Sequence, residues 1–249
     1  MNLESIHQRN ILTAQRHICG WNHDKVSFWR ESMARGDQTL FWIAIPASNQ
    51  SVRGKMAKMD NTEALGLVAR PQDQDSIVEH YDEDVIHESS STEQQNLLAV
   101  GHVSLDKVDT PSNELPLDTS LASGDGRVMT ISALFVLPAF ASFRLGAFAM
   151  DTCEEWARQA PYGSTHCEAV TINTLSPRYL TGGLEGLEGM GRWEILGVPM
   201  PSRDNSLWYA RRGYVKYKEE IRYFQEIPSR ERWSWYAIFM RKTYASDRP

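Results

Sequence analysis

Two hundred and forty-nine residues with a mass of 28.4 kDa are ample for one large domain, or two small ones, around a buried core. Apolar residues at 41%, charged at 23% and aromatics at 10% are the proportions of a soluble globular protein. A formal charge of −6 leaves no basic field for nucleic acid or anionic lipid, so neither nucleic acid nor membrane is expected as a partner.

The chain opens with Leu3, Ile6, Ile11, Ala14, Ile18 and Trp21 at three- and four-residue steps, the period of a helix. Met1–Asn10 carries Glu4 and Arg9 and no apolar run, so no secretory signal is expected. A second helix is expected over Lys25–Arg35, ended by Gly36, and Thr39–Ile45 (TLFWIAI), stopped by Pro46, reads as a strand. A polar tract, Ala47–Gln95, follows. Within it, residues 60–93 hold ten acids against Arg70 alone, a net of −9, so the rest of the chain carries +3 and leaves room for a polyanionic ligand. His80 and His87 lie among those acids at a spacing that matches no metal site. A solvated surface loop is expected there, and no metal.

Asn96–Leu105 (NLLAVGHVSL) is the next strand. Arg127–Leu137 (RVMTISALFVL) is the strongest strand in the chain and is expected to be buried on both faces. Ile131–Met150 is twenty residues with one charge, Arg144, and so has the length of a membrane span. Pro138 and the Arg144/Gly146 pair interrupt it, its first half has strand composition and its second half helical spacing. It is therefore read as strand, loop and helix in a soluble core. From Gly146 on, Ala149, Met150, Cys153, Trp156 and Ala157 share one helical face, and the helix ends before Pro161. His166–Ile172 (HCEAVTI) is another strand, Leu175–Asn205 a Gly-rich insert, and Ser206–Arg212 a short helix closed by Gly213. Tyr214–Phe224 and Trp235–Thr243 finish the chain as two strands, expected to be antiparallel. Cys19, Cys153 and Cys167 form no CxxC and cannot all pair, which points to a reducing, cytoplasmic compartment. Strand, helix, strand in the middle, with antiparallel candidates on each side, argues a mixed α/β sheet.

Ile131–Ala157 (ISALFVLPAFASFRLGAFAMDTCEEWA) resembles the central motif of the GNAT superfamily of acyl-CoA N-acyltransferases: a strand ending V-x-P, a loop patterned Q/R-x-x-G-x-G/A, and a helix. Val136-Leu137-Pro138 supplies the strand end, and the family spacing puts the loop at Ala141-Ser142-Phe143-Arg144-Leu145-Gly146. Leu207–Tyr214 (LWYARRGY) is similar to the later Y-x-x-x-G-F/Y element, with Tyr209 and Gly213 at its spacing. Asn173-Thr174 and the closing W-Y-A-I-F-M-R-K also resemble the family pattern. The resemblance covers most of Thr39–Thr243 and is nearest to fungal members. It implies a single α/β domain over 1–249, a GNAT-like splayed mixed sheet with flanking helices, with an acidic surface insert at about 47–95 and a Gly-rich insert at about 175–205. The family's first strand normally precedes its first helix. Here the chain opens directly in that helix, so that strand is expected to be missing or replaced.

The resemblance also implies an activity: transfer of an acetyl or other acyl group from acetyl-CoA (acyl-CoA) to an amine of a small molecule, by direct attack, in a monomer or homodimer. Phe135, Val136 and Leu137 are implied as a strand edge that pairs with pantetheine amides. Ala141, Ser142, Phe143, Arg144, Leu145, Gly146 and Ala147 are implied as a pyrophosphate nest at a helix N-terminus, and Asn173 as a further contact to the cofactor. The loop is degenerate, because Ala141 replaces the family's Gln/Arg and Arg144 its first glycine. Arg144 therefore either points away or offers its guanidinium to phosphate. A second register, Arg144-x-x-Ala147-x-Ala149, matches the residue types better but lies three residues too far from Pro138.

Tyr209, a phenol with an ordinary pKa of about 10, is implied as the acid that protonates the departing thiolate. Thr130 and Ser132 stand where the family often has a Glu or His base. The demand for a base is real: an amine with a lysine-like pKa is neutral at pH 7 in roughly one molecule in 2,500, about 4.6 kcal/mol. Glu168 and His102 are the candidates. Each residue also has a plain reading: Tyr209 as helix packing, Glu168 as a solvent-facing strand residue, His102 as a hydrogen-bonded structural histidine, Arg144 as a surface charge. Two other functions stay open, a non-catalytic GNAT-fold binding protein and a GNAT-fold enzyme of specialised metabolism with altered chemistry.

Overall fold

The computed structural model describes residues 1–46, 55, 97–109, 115–180, 191–196, 200–201, 203–226 and 232–244. α1 (Ile6–Cys19) begins at Ser5, whose hydroxyl accepts the Gln8 N–H, and α2 (Val26–Arg35) follows it and ends at Gly36. Next come β1 (Gln38–Pro46), β2 (Leu97–Asp106), β3 (Val128–Val136), α3 (Leu145–Trp156) and β4 (Ala169–Leu175). The chain finishes with α4 (Asn205–Arg211), β5 (Val215–Glu226) and β6 (Arg232–Thr243). The strands are hydrogen-bonded in the order β1-β2-β3-β4-β6-β5, a six-stranded sheet flanked by helices. β3 and β4 run parallel, whereas β4–β6 and β6–β5 are antiparallel, so the sheet is mixed, as the alternation of elements implies. Among the described residues no strand precedes α1.

The chain forms two compact units. The first combines Met1–Leu105 with Ala133–Glu155; in it Leu12, Val26, Trp29 and Leu40 form a buried cluster that the helical spacing of α1 and α2 delivers to β1. The second combines Asp106–Ser132 with Trp156–Pro249 and is centred on β6. Leu121, Ala237 and Phe239 form one buried cluster there, and Trp235 is fully buried with Tyr179 edge-on at 4.8 Å. Large apolar side chains such as Leu121 and Phe239 each contribute about 1.5–3 kcal/mol by leaving water.

Three expectations change. β3 is buried only at Met129, Thr130 and Ile131, and from 132 to 136 it is half-buried. Its parallel pairs with β4 run from Val128↔Ala169 to Thr130↔Thr171. His166, Cys167 and Glu168 precede β4 rather than belong to it, and β4 runs on to Leu175. The Gly-rich insert holds a 3₁₀ turn at Pro177–Tyr179 and helical residues at 191–196, while its residues 181–190, 197–199 and 202 lie outside the described residues. The acidic tract, with His80 and His87, also lies outside them apart from Lys55 and the strand end at Pro46 that leads into it. The apolar window 131–150 is strand, 3₁₀ turn and helix, and among the described residues no helix is long and apolar enough to cross a membrane. Cys19, Cys153 and Cys167 are free thiols.

Candidate functional site

The loop between β3 and α3 belongs to the first unit. Pro138–Phe143 form a 3₁₀ turn. Leu137 is buried; its N–H donates to the Val100 carbonyl at 2.8 Å and its carbonyl accepts the Phe140 N–H at 2.8 Å. Leu137 therefore fastens the loop instead of offering a free edge, a correction to its expected role, while Phe135 and Val136 stay half-buried. The fit depends on Gly101 of β2, where a Cβ would lie 2.3 Å from the Phe135 carbonyl oxygen.

Arg144 leaves the turn at φ 60, ψ 16, a left-handed conformation that glycine adopts freely and other residues at about 1–2 kcal/mol. The second register ends at Ala149, which is buried inside α3. The Phe148 N–H donates to the Arg144 carbonyl at 3.1 Å. The N–H groups of Leu145, Gly146 and Ala147 therefore stand ahead of that bond, at the positive end of the helix dipole. A Cβ on Gly146 would meet nothing within 4 Å, so its backbone can be approached closely. Ala141, Ser142 and Arg144 are exposed; Phe143, Leu145, Gly146 and Ala147 are half-buried.

Lys55 is the residue that sequence reasoning missed. Its ammonium donates to the Ala139 carbonyl at 2.8 Å and to Ser142 Oγ at 2.7 Å, and stands 4.9 Å from the centre of the Phe143 ring. A cation is thus held at the loop that contains Ala141 and Ser142. No local motif marks Lys55, because its partners lie 84 and 87 residues away in a different segment.

His102, also in the first unit, is fully buried on β2. Its Nδ1 lies 2.8 Å from Gln15 Oε1 and its Nε2 3.4 Å from Arg16 Nη1. A guanidinium only donates, so Nε2 accepts and Nδ1 carries the proton. Burial first, and the charge of Arg16 second, hold its pKa well below the usual imidazole value. Neutral, sealed from water and with both nitrogens engaged, His102 is a structural histidine. That corrects its reading as a base.

Tyr209 lies in the second unit on α4, which begins at Asp204, whose carboxylate accepts the Ser206 N–H at 2.8 Å. The residue is half-buried, with Trp208 at 4.9 Å and Tyr214 at 5.9 Å both edge-on to its ring. Burial pushes its phenol well above the ordinary value; the Tyr223 phenol adds to the shift and Arg212 opposes it. The hydroxyl is therefore protonated across the neutral range. Tyr223 of β5 donates to Asn173 Oδ1 of β4, reaching over the small, fully buried Ala237 of the strand between them. Asn173 and Tyr223 thus form one polar pair, and Tyr209 is near enough for the Tyr223 phenol to raise its pKa. The expected strand Tyr214–Phe224 includes Tyr223, but its reach across β6 had no sequence signal.

Glu168 is exposed, one residue before β4; its N–H donates to the Arg127 carbonyl at 2.8 Å and its carbonyl accepts the Tyr244 N–H at 2.9 Å. Asn173 is five residues further on, about 17 Å along an extended strand. Glu168 therefore stands at the opposite end of β4 from the polar pair, a correction to its placement on the strand as a base. Thr130 Oγ1 donates to the Thr171 carbonyl at 3.3 Å, and Ser132 Oγ donates to Asp106 Oδ2 at 2.6 Å. Asp106 is fully buried, so the Ser132 hydroxyl is backed by a carboxylate. Glu219 of β5 is an ionised anchor. Burial raises its pKa, but donors from Lys216, Ser176 and Arg178 outweigh that and bring it to about 2.

No family model and no curated protein matches the sequence. Among solved structures, the chain is similar to an aminoglycoside 6'-N-acetyltransferase complexed with coenzyme A at 13% identity, covering 85% of this chain and 99% of that one with a TM-score of 0.32. It is similar to a GNAT-family acetyltransferase from Staphylococcus aureus MU50 at 12% identity, 83% and 98% coverage and a TM-score of 0.28. It is also similar to Escherichia coli ElaA at 9% identity, 82% and 99% coverage and a TM-score of 0.29.

Proposed function

We propose that the protein is a GNAT-type N-acyltransferase that moves an acetyl or other acyl group from acyl-CoA to an amine of a small molecule by direct attack. The observation that carries this reading is the loop ahead of α3. Arg144 keeps a glycine-like backbone, the Gly146 amide is approachable, and Lys55 adds a cation beside it. In this reading the N–H groups of Leu145, Gly146 and Ala147, with Lys55, take the pyrophosphate, and Asn173 donates to the pantetheine arm. The amine nitrogen forms a bond to the thioester carbonyl carbon, and the C–S bond breaks with its electron pair going to sulfur. Tyr209 donates its hydroxyl proton toward that sulfur. The proton lost by the amine goes to water or, through Ser132, to Asp106.

Tyr209 acts first as a hydrogen-bond donor. An ordinary phenol is already about 1.5 pKa units weaker than a thiol, roughly 2 kcal/mol uphill for full transfer, and burial widens that gap. Neither His102 nor Glu168 is placed to take a proton, and this favours a second reading, a GNAT-fold protein that binds acyl-CoA without turnover.

Titration calorimetry with acetyl-CoA tests the proposal. Binding is expected, and no detectable heat at millimolar ligand would defeat both readings. Thiol release across a panel of amines then separates them: turnover selects the enzyme, and binding without turnover selects the binding protein. Turnover only with longer acyl-CoA substrates points to specialised metabolism. The free thiols suit a reducing, cytoplasmic setting.

A further inference from the structure

We propose that Tyr223 is a positioning residue for the acyl-CoA substrate: its hydroxyl fixes the Asn173 carboxamide with the NH₂ edge turned to donate to the ligand. The inference rests on the acyl-CoA reading above and adds to it a residue that neither the family motifs nor the spacing singles out.

The argument begins with donor and acceptor capacity. A carboxamide rotated by 180° presents either a carbonyl or an NH₂ group to the same neighbour, and a ligand amide carbonyl is recognised only by the latter. In isolation Asn173 has no reason to prefer one orientation. The Tyr223 hydroxyl donates to Oδ1, which commits the oxygen to the protein and leaves both Nδ2 hydrogens directed away from it. Tyr223 is held in turn by Leu121, Ala237 and Phe239, all buried, so the ring that carries the hydroxyl is anchored by packing. The irregularity of β5 between Ile221 and Tyr223 re-aims this side chain, and the small Ala237 leaves the path to β4 clear. Asn173 remains half-buried and therefore accessible.

The experiment measures CoA affinity by calorimetry, and the melting temperature, for the wild type, Tyr223→Phe, Asn173→Asp and the double variant. Tyr223→Phe keeps the ring and removes the donor; Asn173→Asp keeps the shape and removes the NH₂ group. Each single change is expected to weaken CoA binding by about tenfold, the size of one directed hydrogen bond, with the melting temperature nearly unchanged. The double variant should bind no worse than the weaker single variant, since both changes remove one interaction. Unchanged affinity in Tyr223→Phe, or losses that multiply in the double variant, would overturn the inference while leaving the acyl-CoA reading intact. If the wild type does not bind CoA, the acyl-CoA reading falls and this inference with it. If Tyr223→Phe does not fold, Asn173→Asp decides alone: a tenfold loss supports the inference and unchanged affinity overturns it.

Discussion

The loop ahead of α3 and the Asn173–Tyr223 pair, with Tyr209 near it, serve the proposed reaction with different parts of the chain. In the loop the working groups are backbone amides, and what must be preserved is a path through φ/ψ space. Arg144 takes a left-handed path that glycine adopts freely, and Lys55 brings a cation to the loop from a distant segment. In the second region the working atoms are side-chain oxygens and nitrogens, and no neighbour can replace them. In the proposed reaction the first region therefore tolerates a change of side chain, whereas the second does not tolerate the loss of one donor atom.

The largest expected effect tests the side-chain region. Tyr209→Phe removes only the hydroxyl and should lower turnover by about 10²–10⁴, roughly 3–5 kcal/mol of barrier, with CoA affinity within about twofold of wild type. Near-normal turnover would leave thiolate protonation to water. The pH dependence follows from the direction of the Tyr209 shift. A phenol raised above its ordinary value of about 10 stays protonated below it, so its ionisation should not lower the wild-type rate as pH rises to about 10. An alkaline fall that is lost in Tyr209→Phe and lies below that range would contradict the environment described for this residue.

In the loop, Gly101→Ala drives a methyl into the Phe135 carbonyl and should cost about 2–3 kcal/mol by urea denaturation, together with CoA affinity, because the end of β3 must move. A variant with wild-type stability would show that this close approach is not a constraint. Lys55→Ala comes next. CoA binding should weaken by about five- to tenfold, while an acetylated pantetheine without phosphates binds as before. An equal loss for both ligands would make Lys55 a structural tether. The smallest effect sharpens the comparison most. Arg144→Gly relieves the left-handed strain and should stabilise the fold by about 1 kcal/mol with CoA affinity unchanged, if backbone shape alone matters. A tenfold loss of affinity would instead place the guanidinium on phosphate.

Much of the architecture was legible in the sequence. The strand and helix limits of α2, β1, β2, β3 and α3 followed from period and from stops such as Gly36 and Pro46, because these signals act within a few residues. That a turn joins β3 to α3 was legible as well, from Pro138 and the Arg144/Gly146 pair, and Arg144 leaves that turn in a left-handed conformation. The base candidates were not legible. Whether His102 is open or sealed depends on Gln15 and Arg16, which lie more than eighty residues earlier, and Glu168 differs from a base only by which end of β4 it stands at. A spacing rule contains neither fact.

By itself the sequence determined that a strand, a tight loop and an amphipathic helix follow one another at 127–157, because local backbone preference and apolar periodicity act along the chain. Only the tertiary structure decided that Lys55 stands on that loop, that the parallel pairing of β3 and β4 ends at Thr130, and that Tyr223 reaches Asn173 across β6. Each of these is a contact between segments far apart in sequence. Such contacts are selected by packing and by the need to satisfy buried polar groups, two constraints that operate in space and leave no local trace in the order of residues.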